Sequence, residues 1–201
     1  ASYVPDTEFH QLRALTRHRR GLVSDISRVK TRLQKVLEDG NIKLGSVLSD
    51  VFGKAGLAVV EALAQGVTSP HQLADRVKTK IKAKEDIPKA LSHCLRKDHL
   101  FLIEELYLQY KYLCQRLKAL EEEIEVAMDR HQDTVQRLEE VPGINKTLAQ
   151  NIVAEATTQM KHFKDERAFA AWAGVAPGNN ESAGKKNAQN HEKAIPTLKK
   201  L

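Results

Sequence analysis

The stretch Pro177-Gly178-Asn179-Asn180-Glu181-Ser182-Ala183-Gly184-Lys185-Lys186 gathers glycines, amides, one hydroxyl and two lysines. Glycines let a backbone approach a phosphodiester closely. A serine hydroxyl can attack phosphorus, and ammonium groups can offset the charge of the phosphorane that results. In that chemistry Ser182 is the nucleophile and Lys185 or Lys186 stabilises the developing charge. Asn179 contacts the scissile phosphate and Gly184 relieves crowding beside the backbone. Residue types alone favour the plainer reading, because serines in Gly/Asn loops commonly cap or turn the chain.

A second candidate is Val141-Pro142-Gly143-Ile144-Asn145-Lys146-Thr147-Leu148-Ala149, which has the spacing of a helix-hairpin-helix. A tight Gly-containing turn there exposes backbone N–H groups at a helix N-terminus, and with the helix dipole they hold a phosphate. Pro142 and Gly143 form the turn, and Lys146 and Thr147 add side-chain donors. Asn145 stands where the motif has a second glycine, and asparagine tolerates a left-handed backbone. The alternative is an ordinary turn between two helices.

A third candidate is the basic run Arg13, Arg17, His18, Arg19, Arg20, Arg28, Lys30, Arg32 and Lys35, which includes a single acid, Asp25. Arg13, Arg17 and Arg20 share one helical face at i, i+4 and i+7, which suits a phosphate backbone. The alternative is a solvated face, or one paired with the acidic run Glu121-Glu122-Glu123-Ile124-Glu125.

Other chemistries find no support. The eight histidines are scattered, with no H-E-x-x-H and no Cys/His cluster. No spaced carboxylates suit two Mg²⁺ ions, so no metal site and no cofactor is expected in this chain. Cys94 and Cys114 lie outside any C-x-x-C pattern, which fits a reducing cytosol. No apolar run approaches the roughly 20 residues that span a bilayer, and ASYVPDTEFH is not a secretory signal. A cytoplasmic, non-membrane protein is expected.

These groups must be positioned by helices. The chain has 201 residues, 41% hydrophobic, 29% charged and only 5% aromatic, which favours packed helices over a β sandwich. The net charge of +6 is uneven: +3 over residues 1–40, +4 over 41–100, −5 over 101–140 and +4 over 141–201. Basic segments favour a polyanionic partner, and the acidic one holds the protein to itself.

Two stretches keep a heptad spacing. The first is Leu12, Leu15, Arg19, Leu22, Ile26, Val29, Leu33 and Val36. The second is Ile103, Leu106, Tyr110, Leu113, Leu117, Leu120, Ile124 and Ala127, weakening through His131 and Thr134 to Leu138. Each is a stripe that must pack on another helix, in an antiparallel hairpin or an intermolecular coiled coil. The spacing predicts one helix from Asp6 or Thr7 to Gly40 and a second from about Pro88 or His99 to Glu140. Between them, Val47–Phe52, Leu57–Gln65, His71–Lys80 and Ile87–Leu95 read as short helices. Ser69 caps a helix that Pro70 opens, and Lys78, Lys80, Lys82 and Lys84 decorate a loop or a frayed end. Lys146–Thr157 is a helix with Leu148, Ile152 and Val153 inward, and Phe163–Ala173 is another with Phe169 and Trp172 in the core. The expected class is all-α, in four parts: a basic linker helix (1–40), a helical insert (41–100), an acidic coiled-coil helix (101–140) and a C-terminal domain (141–201).

Val141-Pro142-Gly143-Ile144, Ala154-Glu155, Phe163, Ala171-Trp172-Ala173-Gly174-Val175-Ala176-Pro177-Gly178 and Ser182-x-Gly184-Lys185 together closely resemble the C-terminal domain of IS110 / IS116 / IS902 family transposases. Upstream, Leu12-Arg13-x-Leu15-Thr16-Arg17 with Arg19 looks like the family's linker helix. Asn41-Ile42-Lys43-Leu44, Ser49-Asp50-Val51-x-Gly53, Ala62-Leu63 and Leu73-Ala74 look like its middle region.

The resemblance implies a transposase or site-specific recombinase of bacterial insertion sequences. It implies DNA as partner, a structured guide RNA in some members, and Ser182 as the residue that forms a phosphoserine linkage to DNA. The family also has an N-terminal RuvC-like domain with an Asp/Glu/Asp/Asp metal site, and Mg²⁺ belongs with that domain. Ala1 falls about where the linker after it begins. The chain is therefore expected to be a fragment or truncated copy, inactive alone. The family's basic stretch after Gly-Lys is replaced here by Asn187-Ala188-Gln189-Asn190-His191-Glu192-Lys193. A homo-oligomer through the heptads fits strand exchange, which needs two DNA sites held together. The rival function is a non-catalytic helix-hairpin-helix module that grips nucleic-acid backbones.

Overall fold

In the computed structural model, residues 6–77, 87–91, 94–160, 163–173, 181–182 and 185–186 are described. They form an all-α protein whose only β structure is one minimal strand pair. The chain divides into two compact units, residues 22–118 and residues 1–21 with 119–201. Helices α1 (Thr7–Asp39) and α5 (Lys97–Ala127) each supply residues to both.

In the 22–118 unit, α1 and α5 run antiparallel, with Asp39 bonded to His99 (2.7 Å) and Lys30 over the Tyr110 ring (5.8 Å). Leu33 and Leu37 from α1 share a core with Ile103 and Tyr107 from α5. That core is completed by a 3-10 turn (Leu44–Ser46), α2 (Lys54–Ala64), α3 (Pro70–Asp75) and α4 (Ile87–Ala90). Their Leu44, Val59, Val60, Leu63, Leu73 and Leu91 close it.

The end of α1 differs in detail from expectation. Gly40 is the last half-helical residue, and the left-handed residue is Asn41 (φ +58°). Ile42 N–H donates to Leu37 O (2.8 Å) and Asn41 N–H to Glu38 O (2.9 Å), the paired bonds of a Schellman closure. Ile42 then packs into the core beside Leu37, which fixes the exit of the chain. A Cβ at Gly40 would lie 2.6 Å from Leu95 Cδ2, so that leucine would have to turn aside. Helix α2 closes the same way at Gly66 (φ +82°), with Val67 N–H to Ala62 O at 2.9 Å.

Three expected helices are corrected. Val47–Phe52 is not helical: the Asp50 carboxylate accepts from Phe52 N–H (2.8 Å), an Asx turn that competes with helix. Helix α3 stops at Asp75 rather than Lys80, and Lys78, Lys80, Lys82 and Lys84 lie outside the described residues. Ser69 occupies the cap position before Pro70 without a side-chain cap bond. The second long helix ends at Ala127, not Glu140, in a 3-10 turn over Asp129–His131 before α6 (Gln132–Glu139). Met128 before that turn and Val135 after it are fully buried in place of Ala127 and Thr134, so a straight heptad reading fails there.

In the other unit, α1 and α5 again lie antiparallel, with Phe9 of α1 stacked on His131 just beyond α5 at 5.0 Å between ring centroids. Phe9 and Leu12 pack with Ile124 and Met128, with Val135 of α6, and with Ala149, Val153 and Ala154 of α7 (Lys146–Ala156). Leu148 and Ile152 are half-buried and Val153 is buried, as the spacing predicts. Helix α8 (Glu166–Ala173) is capped by Asp165, whose carboxylate accepts from Ala168 N–H (2.8 Å). Its Phe169 and Trp172 are half-buried and cluster edge-on with Phe163.

Of the first stripe, Leu12, Leu22, Ile26, Val29 and Leu33 have at most 9% of their surface exposed. Of the second, Ile103 and Ile124 are buried, while Leu106, Tyr110, Leu113, Leu117, Leu120 and Ala127 are half-buried.

Candidate functional site

Helices α6 and α7 are joined by the turn Glu140–Asn145. Gly143 adopts φ +91°, and Ile144 N–H donates to Val141 O at 3.0 Å. Only glycine takes that backbone conformation without strain, and Pro142 pre-sets the residue before it. Asn145 is not left-handed as expected. It is extended (φ −89°, ψ 169°) and caps α7, its side chain accepting from Leu148 N–H at 2.9 Å. Pro142, Gly143, Lys146 and Thr147 are all exposed. The Lys146 ammonium meets Glu125 at 2.6 Å, and Thr147 O accepts from Arg19 at 3.1 Å.

The basic face of α1 is engaged elsewhere than solvent at two of its three predicted positions. Arg17 makes a two-bond pair with Glu155, Nε to Oε1 and Nη2 to Oε2, each 2.8 Å. Arg13 donates to the carbonyls of Ala154 (2.9 Å) and Glu155 (2.6 Å), at the C-terminus of α7. A guanidinium there satisfies helix-end acceptors and faces the negative end of the dipole. The Glu155 carboxylate raises the Arg17 pKa further above its usual value through its hydrogen bond. Arg20 is exposed.

Sequence reasoning missed the role of Arg19. It occupies a heptad core position, and it is only 5% exposed. Its guanidinium donates to Gln150 Oε1 (2.5 Å), Asn151 Oδ1 (2.7 Å) and Thr147 O. Gln150 in turn donates to Glu125 (2.7 Å), the acid that holds Lys146. Burial lowers the Arg19 pKa, and the charges of Glu121 and Glu125 oppose that shift. Lys146 and Gln150 hold the Glu125 carboxyl below its ordinary value, Lys146 first. The signal was present: a lone arginine in an otherwise apolar stripe, with an acidic run on the helix opposite.

Immediately after α7, Thr157 is buried with φ +64° and ψ 176°, a conformation that side chains rarely adopt.

Of the serine stretch, Glu181–Ser182 and Lys185–Lys186 form two-residue strands β1 and β2, paired antiparallel. Ser182 is the register partner of Lys185, and Glu181 that of Lys186. The expected irregular loop thus contains a short ladder. Asn179 and Gly184 lie outside the described residues, as do Asn187–Lys193. Among the described residues, no group of three or more His, Cys, Asp or Glu side chains could hold a metal ion. Among the described residues no helix is long and apolar enough to cross a membrane.

Residues 135–201 match the family described as Transposase IS116/IS110/IS902 family. The chain is also similar to the protein named "Putative transposase y4pF/y4sB" of Sinorhizobium fredii (strain NBRC 101917 / NGR234), at 31% identity over 77 residues, 38% of this chain and 19% of that protein. The chain thus spans about a fifth of the length of the curated relative it matches. No solved structure matches it. Most of α6, all of α7 and α8, and the Ser182 ladder lie within the matched region, so residues 135–201 are similar to the IS116/IS110/IS902 transposase family.

Proposed function

We propose that this chain is the DNA-binding and strand-transfer portion of an insertion-sequence transposase acting in a bacterial cytoplasm, with Ser182 as its nucleophile. The observation that carries the reading is the pairing of Ser182 with Lys185 inside the family-matched region. Residues opposed in an antiparallel ladder have Cα atoms about 4.5–5.5 Å apart. A hydroxyl nucleophile and an ammonium group thereby originate from paired positions on one short ladder.

In the proposed step the Ser182 oxygen bonds to phosphorus as the bond to a deoxyribose oxygen breaks. The serine gives up its proton and the leaving oxygen takes one up. One phosphodiester replaces another, so no external energy source is needed, and reversal by a different strand end completes exchange. Lys185 and Lys186 offset charge on the phosphorane. Asn179 contacts the scissile phosphate and Gly184 gives it room. Arg20 and the exposed turn Pro142–Thr147 hold flanking phosphates. A homo-oligomer brings two DNA sites together, and a guide RNA supplies the target sequence if one is used. The metal chemistry belongs to a RuvC-like domain upstream.

The test is Ser182→Ala in a recombinase that includes that domain. Strand exchange and the covalent serine–DNA adduct should both disappear while DNA binding persists. A second reading, a non-catalytic backbone-gripping module, draws on the α6–α7 turn with its left-handed Gly143. It predicts that Ser182→Ala changes nothing and that Gly143→Val abolishes binding.

A further inference from the structure

The acid that holds Lys146 is itself held. Glu125 stands near the end of α5, and its two oxygens face different groups: Oε1 accepts from Gln150 Nε2 (2.7 Å) and Oε2 meets the Lys146 ammonium (2.6 Å). Gln150 is buried, and its own Oε1 accepts from the buried Arg19 guanidinium at 2.5 Å. The carboxylate is thus fixed from beneath by a buried network. Glu125 and Lys146 nevertheless remain more than 40% exposed, so an anion from solvent can reach the same ammonium. All four residues lie in the unit formed by residues 1–21 and 119–201.

We propose that Glu125 is a built-in competitor for the phosphate that the α6–α7 turn takes, an autoinhibitory carboxylate that sets how tightly Lys146 can hold nucleic acid. This rests on the reading of Pro142–Thr147 as a grip for flanking phosphates. Lys146 is the first residue of α7, so its ammonium belongs to the helix end that favours an anion. An ammonium has three donors and can hold a carboxylate and a phosphate together. Their oxygens then lie within about 5 Å of each other, and like charges at that range repel. The charge balance points the same way. Arg19 and Lys146 stand against Glu121 and Glu125, two positive charges with two negative ones. An incoming phosphate therefore meets little net attraction beyond the helix dipole. Without the Glu125 charge it would meet a net positive one. A grip weakened in this way lets DNA leave after strands have been exchanged.

The experiment is fluorescence anisotropy of a labelled DNA duplex titrated with the 201-residue chain, with urea unfolding of every variant. Lys146→Met should weaken binding. Glu125→Gln keeps an acceptor for Gln150 while removing the charge, and it should tighten binding about fivefold at low salt. Made on the Lys146→Met background, the same change should tighten binding at most about twofold, because the competition needs the ammonium. Should Glu125→Gln not fold, Glu125→Asp, whose carboxylate is drawn back from Lys146 by one methylene, takes its place, and its gain should again depend on Lys146. A chain that does not bind the duplex, or a Lys146→Met variant that binds as the parent does, overturns the phosphate reading of the turn and the proposal with it. If Lys146→Met weakens binding but Glu125→Gln leaves it unchanged, or gives the same gain in both backgrounds, the proposal alone falls and the turn remains a phosphate grip.

Discussion

Arg17 grips Glu155 through two 2.8 Å hydrogen bonds, guanidinium to carboxylate, across 138 positions of sequence. Beside it Arg13 closes the last carbonyls of α7. Two members of a face whose spacing suits phosphates are thus bound to their own protein, and the third is not.

The arginines should therefore separate in two assays. Arg13→Ala strips the donor from two helix-end carbonyls and should cost about 1–2 kcal/mol in urea unfolding. Arg17→Ala should cost about 1–2 kcal/mol, because that side chain is 60% exposed but the Glu155 carboxylate it leaves behind is only 4% exposed. Arg20→Ala should leave stability unchanged and lower the slope of log affinity against log salt for DNA by about 1. Equal stability losses in all three would refute this division.

Arg19→Ala leaves Gln150, Asn151 and Glu125 facing a void where a buried cation stood. Thermal or urea unfolding should show a loss of about 3 kcal/mol, the usual consequence of removing one partner from a buried polar network. Arg19→Met refills the volume and should recover part of it. A loss below that of Arg17→Ala would mean the network contributes little.

The Glu125–Lys146 pair should appear on the acid limb of stability. Lys146 holds the Glu125 carboxyl below its ordinary 4.5. A carboxyl depressed on folding adds stability that is complete above the unfolded value and fades as pH falls through the folded one. Both side chains are over 40% exposed, so the contribution is at most about 1 kcal/mol. Lys146→Met should lower stability by up to about 1 kcal/mol at neutral pH, flatten the curve below the unfolded value, and converge on the parent chain in acid. An unchanged acid limb would contradict the pairing.

Thr157 offers a gain. At φ +64° with ψ 176° it holds a conformation that glycine takes freely. Thr157→Gly gives up a 3.3 Å bond from Gln159 N–H, yet relief of strain should leave a net stabilisation of about 1 kcal/mol. Thr157→Ala loses the same bond without the relief and should destabilise. Melting temperatures of the two variants should move in opposite directions.

The heptads made most of the architecture legible. Leu12 to Leu33 and Ile103 to Ile124 repeat at the helical period; burial follows the first closely and leaves the second half-buried between Ile103 and Ile124. Periodicity failed where the geometry left the α form, at Asp129–His131, and where the Asp50 side chain pulled the backbone into a turn. Asn145 was singled out for its tolerance of left-handed backbone, but its work at the head of α7 is done by its side chain. Charge was harder to read. A basic run on one face gives no sign of whether its partner is a phosphate or a carboxylate more than a hundred residues later, since Arg17 and Glu155 are distant in sequence and adjacent only in the fold. Ser182 was found through a resemblance; its ladder to Lys185 has no periodic signature at two residues per strand.

The core around Val153 also sets a rule for dissection. Ala149, Val153 and Ala154, all in the family-matched stretch, lie against Phe9, Leu12, Ile124 and Met128, which precede it. A clone cut at residue 135 discards half of that apolar lining and the arginines that close α7. Such a fragment should be a molten, sticky species rather than an autonomous domain. A peptide spanning residues 6–21, added in trans to residues 119–201, should restore cooperative unfolding by complementation. The sequence match and the folding unit are different objects, and the smaller one cannot be purified as though it were the larger.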